Sequence, residues 1–156
     1  MNKFRIVTAA MIATIMVGGG TVTVFAQEKE ATLKARQDLM KAQGADLRII
    51  KAFADGQGDQ AAALEKANDL VAQSAKLAAL FTAGTSLKDI PGKTYAKPEI
   101  WTEKAKFDAA AAALHSEAEK LAAAVKSGDK TATGDQFKAV GGACGNCHTP
   151  FREKMS

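Results

Sequence analysis

The chain has 156 residues, 21 Lys and Arg against 17 Asp and Glu, a formal net charge of +4, and only 6% aromatic residues. That length suits one domain. No basic run interleaved with aromatics occurs, which argues against a nucleic-acid partner. Abundant alanine and only three prolines favour helices.

Lys3 and Arg5 open the chain, Ile6 to Val17 is apolar, and Gly18-Gly19-Gly20 interrupts the run ahead of Val24-Phe25-Ala26. This order reads as a secretory signal peptide over residues 1–26, cleaved after Ala26. An uncleaved anchor competes, because Ile6 to Gln27 carries no charge. The glycines and threonines weaken that reading. Cleavage removes two basic residues and no acid, so the mature chain, residues 27–156, has a net charge of +2 and no expected membrane span.

Four amphipathic segments follow. The first is predicted from about Glu28 to Ala54, with Leu33, Met40, Leu47 and Ala54 at seven-residue intervals and Gly44 and Ile50 beside them. The second starts at Asp59, a candidate N-cap. It runs to about Thr82 with Leu64, Val71, Ala78 and Phe81 on one face. Residues 83–97 form the long connection, with Gly84, Pro91 and Gly92 as turn signals. The third opens at Pro98 as an N1 proline and continues to about Lys126, with Phe107, Ala111, Leu114, Ala118, Leu121 and Val125 as its stripe. The fourth is predicted from about Thr133 to Lys154, with Thr133-Gly134-Asp135-Gln136 as a capping box. Its face carries Phe137, Val140, Cys144, Cys147 and Phe151, and Pro150 predicts a kink or a loosened last turn. The expected fold is all-α: an antiparallel four-helix bundle whose cofactor site lies between facing helices.

Cys144-Gly145-Asn146-Cys147-His148 contains both cysteines of the chain. The C-x-x-C-H spacing is that of c-type haem attachment, two thiols for two vinyl groups and a histidine to ligate iron. A thioredoxin-like pair would need its first cysteine at a helix N-terminus beside a sheet, and no alternating β-branched run is present to build one. Structural zinc would need a fourth ligand, and His115 is the remaining histidine. Haem bound covalently near the C-terminal helix is the expectation, and it would fill an alanine-rich core.

Two residues of the first segment bear on that cofactor. Arg36, one turn before Met40, could pair with an anionic haem propionate or lie solvated at the edge of the stripe. Met40 could fill the core or serve as sixth iron ligand opposite His148. Gly44, in a helix interior, suggests close approach by something flat. Trp101, Tyr95 and Arg152 could border the haem, though packing or solvation explains each equally well. His115 reads as a boundary histidine.

Leu33-Lys34-Ala35-Arg36-Gln37-Asp38-Leu39-Met40-Lys41, Pro98-Glu99-Ile100-Trp101 with Ala105-Lys106-Phe107-Asp108, and Cys144 to His148 with Phe151-Arg152 together resemble the cytochrome c′ family, periplasmic four-helix-bundle c-type cytochromes. The likeness spans essentially the whole mature chain. It implies a periplasmic location and one covalently attached haem c per chain. Leu87-Lys88-Asp89-Ile90 and Lys97 to Trp101 look more like the low-spin cytochrome c-556 branch, in which histidine and a first-helix methionine ligate iron. On that branch His148 and Met40 are the metal ligands. The protein is then an electron carrier and not an enzyme, serving periplasmic or membrane-bound redox proteins. The alternative is the high-spin branch, whose open sixth site binds nitric oxide or carbon monoxide. Homodimers through the first two helices are common there.

Overall fold

In the computed structural model, which describes residues 20–154 and their side chains from Gln27 onward, the alanine-rich segments wind into helices. These are α1 (Gly20–Ala54), α2 (Gln60–Lys76), the short α3 (Glu99–Thr102), α4 (Lys104–Ser127) and α5 (Lys130–Phe151), with one 3-10 turn at Ala78–Leu80. The four long helices close into a ring in the order α1, α2, α4, α5, back to α1. Among the described residues no helix is long and apolar enough to cross a membrane. The predicted signal peptide lies outside the described residues, apart from the backbone of residues 20–26, which runs into α1.

Local chemistry explains the turns. Asp59 accepts from the Ala62 N–H at 2.8 Å and starts α2, as its position predicts. Gly128, at φ 77°, ends α4 in the left-handed region that a side chain disfavours. Asp129 then caps α5 at once, accepting from Ala132 N–H at 2.9 Å. The predicted capping box at Thr133 is therefore not used. Thr133 lies inside the helix, fully buried, with its hydroxyl donating to the Asp129 carbonyl at 2.7 Å.

Four further expectations shift. The third segment is not continuous, because Glu103 (φ −116°, ψ 42°) separates α3 from α4. That break lets Ile100 turn inward and lets Trp101 donate from Nε1 to the Phe81 carbonyl at 3.1 Å. Pro150 stands in the last turn of α5, and the helix ends one residue later at Phe151. On α1 the buried line is Leu33, Arg36, Gln43, Asp46, Ile50 and Phe53, while Met40, Leu47 and Ala54 are half-buried. The helix is thus rotated from its predicted face, because it carries polar groups inward that hydropathy alone assigns to solvent. On α2 the same happens by one position: Ala63, Ala67, Leu70, Ser74 and Leu77 are buried, and Leu64 and Val71 flank them. Small residues in the middle allow close approach to α1 and α4. The α4 stripe is buried as predicted, from Phe107 through Val125.

Two apolar clusters result. The larger fills the bundle with Ile50, Phe53, Leu70, Leu114, Leu121, Val125 and Val140, and Met40 and Cys144 pack against it. The smaller, of Ile100, Phe107, Phe151 and Ala96, lies at the end where α5 finishes, with Phe81, Trp101 and Cys147 against it. Phe107 meets Phe81 and Phe151 edge-on, with centroids 4.7 and 5.4 Å apart. Such pairs add about 0.5–1.5 kcal/mol each beyond burial.

Candidate haem site

The register of α1 against α5 follows from one contact. A Cβ placed at Gly134 would meet the Ala54 Cβ at 4.0 Å, so the two helices touch at that end. Met40 precedes Ala54 by 14 residues and His148 follows Gly134 by 14, about 21 Å of helical rise in each case. Met40 and His148 therefore stand at one level across the seam, and Gly44 stands at the level of Cys144. Over its whole length the α1–α5 seam is the most sparsely packed of the four long-helix seams. A Cβ at Gly44, Gly141 or Gly145 would find nothing within 4 Å. The seam is in contact at the Ala54 end, and beside the Cys-x-x-Cys-His run these glycines face unfilled space.

Both thiols and the imidazole are half-buried and free of disulfide bonding. Burial raises the Cys144 thiol above its ordinary pKa, and burial together with the Cys144 charge raises Cys147. That is the opposite of the lowered pKa that a redox-active thiol pair requires. Burial, and then the Arg152 cation, lower the pKa of His148. A neutral imidazole is the form that ligates iron. Arg152 is exposed, donates its N–H to the His148 carbonyl at 2.9 Å and forms an isolated bridge with Ala96.

Arg36 is only 4% exposed. Its Nη1 donates to Thr85 Oγ1 at 3.3 Å, and its Nη2 donates to the Thr85 carbonyl at 3.2 Å and to Thr94 Oγ1 at 2.9 Å. Its carbon end stacks on the Phe81 ring at 4.5 Å. Burial pulls its pKa down to about 10, with no carboxylate among the described residues acting on it. A buried cation with neutral partners is short of an anion. Thr85, Thr94 and Phe81 escaped sequence reasoning, because a loop has no periodicity from which inward-facing residues can be read.

The same contacts make residues 83–97 a strap over the wide end. Arg36 holds it to α1, and Gln37 Nε2 donates to the Lys93 carbonyl at 2.8 Å. At its far end Lys97 N–H donates to the Phe151 carbonyl at 3.0 Å, and Glu153 N–H donates to the Tyr95 carbonyl at 2.8 Å. Tyr95 itself is exposed, and Trp101 packs with the smaller cluster. His115 sits away from this end, its Nδ1 3.0 Å from Ser74 Oγ.

A flat macrocycle fits these residues on three counts: the open seam at Gly44, Gly141 and Gly145, the paired thiols at its edge, and a buried guanidinium lacking an anion. An all-α bundle with this site is a c-type haem protein. The comparisons make the assignment narrower. The family model described as Cytochrome C' matches residues 31–152. Cytochrome c′ of Pararhodospirillum photometricum is 34% identical over 125 residues, covering 80% of this chain and 98% of the relative. Cytochrome c-556 of Rhodopseudomonas palustris is 33% identical over 153 residues, covering 92% and 99%. A nitric oxide complex of a cytochrome c prime mutant from Alcaligenes xylosoxidans superposes with a TM-score of 0.71 at 30% identity, covering 81% and 97%. The chain belongs to the cytochrome c′ family, whose members bind covalently attached haem c and serve electron transfer or gas binding. These similarities favour the cytochrome c′ type over the His/Met low-spin carrier expected from the sequence.

Proposed function

We propose that this chain is a periplasmic haem c protein whose sixth iron position is open to a small diatomic ligand. Cys144 and Cys147 hold the haem through thioethers, His148 is the proximal ligand, and Arg36 neutralises a propionate under the strap. When bound, haem c supplies an iron that changes between ferrous and ferric and accepts an axial ligand. The chain supplies the rest. Burial keeps His148 neutral and ready to coordinate. The strap and the edge-on Phe81, Phe107 and Phe151 rings cover the end of the bundle where α5 finishes. Met40 stands on the opposite wall, on α1 with Leu39 and Leu47, and all three pack against the larger cluster, where a thioether acts as apolar filling.

What supports this reading is the open space beside Gly44, Gly141 and Gly145 and the sparse α1–α5 packing, together with the nitric oxide complex of the Alcaligenes protein. It describes binding and electron transfer, not substrate turnover. Residues 1–26 are the export signal, and self-association would run through α1 and α2, where Ile49 is exposed.

A second reading rests on the same level match and on the cytochrome c-556 relative. In it Met40 ligates the iron, and the protein passes electrons to periplasmic or membrane-bound redox partners. The absorption spectrum of the reduced protein before and after carbon monoxide separates the two. The proposal expects broad bands that shift on addition of the gas. Sharp, split bands indifferent to it would establish the second reading instead.

A further inference from the structure

We propose that Gln43 is a hydrogen-bond donor reserved for a ligand bound on the Met40 side of the haem space, and that it sets how long that ligand stays. The inference rests on haem occupying the α1–α5 seam, as proposed above, but not on the sixth position being open in the native protein.

Gln43 is 6% exposed, yet among the described residues its Nε2 has no acceptor within reach. A primary amide carries two N–H donors, and leaving them unpaired in a core is unfavourable. Arg36, Met40 and Gln43 follow one another at i, i+4 and i+7, which places them on one stripe of α1. Gln43 is three residues beyond Met40, about 4.5 Å deeper along the helix, and next to Gly44, whose missing side chain leaves open space. The N–H groups of Arg36 are given to Thr85 and Thr94, and the nearer α1 side chains Leu39, Met40 and Leu47 bring no N–H donor. The ligand chemistry this recognises is a diatomic whose outer atom accepts a hydrogen bond.

A rival use for the amide exists. Gln73 donates from Nε2 to the buried Asp46 carboxylate at 2.8 Å and leaves its own Oε1 unpaired. A water joining Gln43 Nε2 to Gln73 Oε1 would satisfy both, and Gln43 would then serve only the α1–α2 seam.

The test uses ferrous holoprotein under carbon monoxide, as wild type and Gln43→Leu, each also combined with Met40→Ala. The readouts are the C–O stretching frequency, the carbon monoxide dissociation rate and the thermal midpoint. A donor to the ligand oxygen weakens the C–O bond, so Gln43→Leu is expected to raise the stretching frequency. Dissociation should be about three- to tenfold faster, the factor for one neutral hydrogen bond, with little change in midpoint. An unchanged frequency and rate overturn the proposal, and a lowered midpoint alongside them assigns the amide to the Gln73 water. If carbon monoxide enters only the Met40→Ala proteins, the open-site reading fails while that pair still decides the role of Gln43. Gln43→Ala, which removes the donor and adds no bulk, replaces Gln43→Leu if the latter does not retain haem.

Discussion

The two sides of α5 are built differently. Toward α4 the helix packs closely, through Val140 and Ala143, with Gln136 donating to the Glu117 carbonyl at 3.3 Å. Toward α1 it packs more sparsely; Gly134 lies against Ala54, and Lys130 helps close that end by lying 5.9 Å over Phe53. Farther along, α1 and α5 are joined through the 83–97 strap more than by direct packing. One seam is protein core. The other is a space with a roof, and the attachment residues stand at its edge.

Removing the edge has the largest effect. Cys144→Ser with Cys147→Ser is expected to abolish covalent haem, checked by the intact mass and by loss of the haem band on denaturing gels. The wide seam then has nothing to fill it, and the thermal midpoint should fall steeply. Next is the roof. Arg36→Leu removes three hydrogen bonds and the Phe81 stack, an expected loss of about 1–3 kcal/mol. Amide exchange should quicken across residues 83–97 and hardly change in α4. Equal acceleration in both would mean that Arg36 supports the bundle generally and not the strap.

A pair of glycines compares the two seams directly. Gly142 lies on the α4 side, in a shallow groove with Ala110, Ala113 and Ala139, and Gly44 lies on the α1 wall. In an ordinary helix interior Gly→Ala stabilises by about 1 kcal/mol. Gly142→Ala should give the holoprotein that gain in chemical denaturation. Gly44→Ala should not, because its methyl group meets the haem. Matching gains would place the haem elsewhere.

The smallest effect is one of pH. The Ser86 hydroxyl and N–H both donate to Asp89, and these bonds hold its carboxyl below the ordinary value. A lowered folded-state pKa stabilises above the ordinary carboxylate pKa and is lost as pH falls through the lowered value. Protection of the strap amides, with the intrinsic exchange rate divided out, should therefore fall as pH drops below the ordinary carboxylate range in the wild type, and less so in Asp89→Asn.

Much of this contrast was legible in the sequence. The α4 stripe from Phe107 to Val125 is read directly, because that helix presents a single apolar face to the core. The Cys-x-x-Cys-His run names its cofactor by spacing, and Arg36 was a candidate on charge and position. The rotation of α1 was not legible. It depends on Arg36, Gln43 and Asp46 turning inward, and hydropathy scores those residues as surface whatever they meet. The strap was legible only as turn residues, since Thr85 and Thr94 acquire a role solely through a guanidinium 49 and 58 residues away. Asp129 outcompeted the Thr133 capping box because Gly128 reverses the chain early enough for α5 to begin at Lys130.

What Met40 does to the iron remains the point on which the function turns. Electron paramagnetic resonance of the ferric holoprotein, wild type beside Met40→Ala, measures it at the metal. An open sixth position predicts a high-spin signal in the wild type that Met40→Ala leaves high-spin. A low-spin wild-type signal that becomes high-spin on Met40→Ala would contradict it, and would make Met40 the sixth ligand.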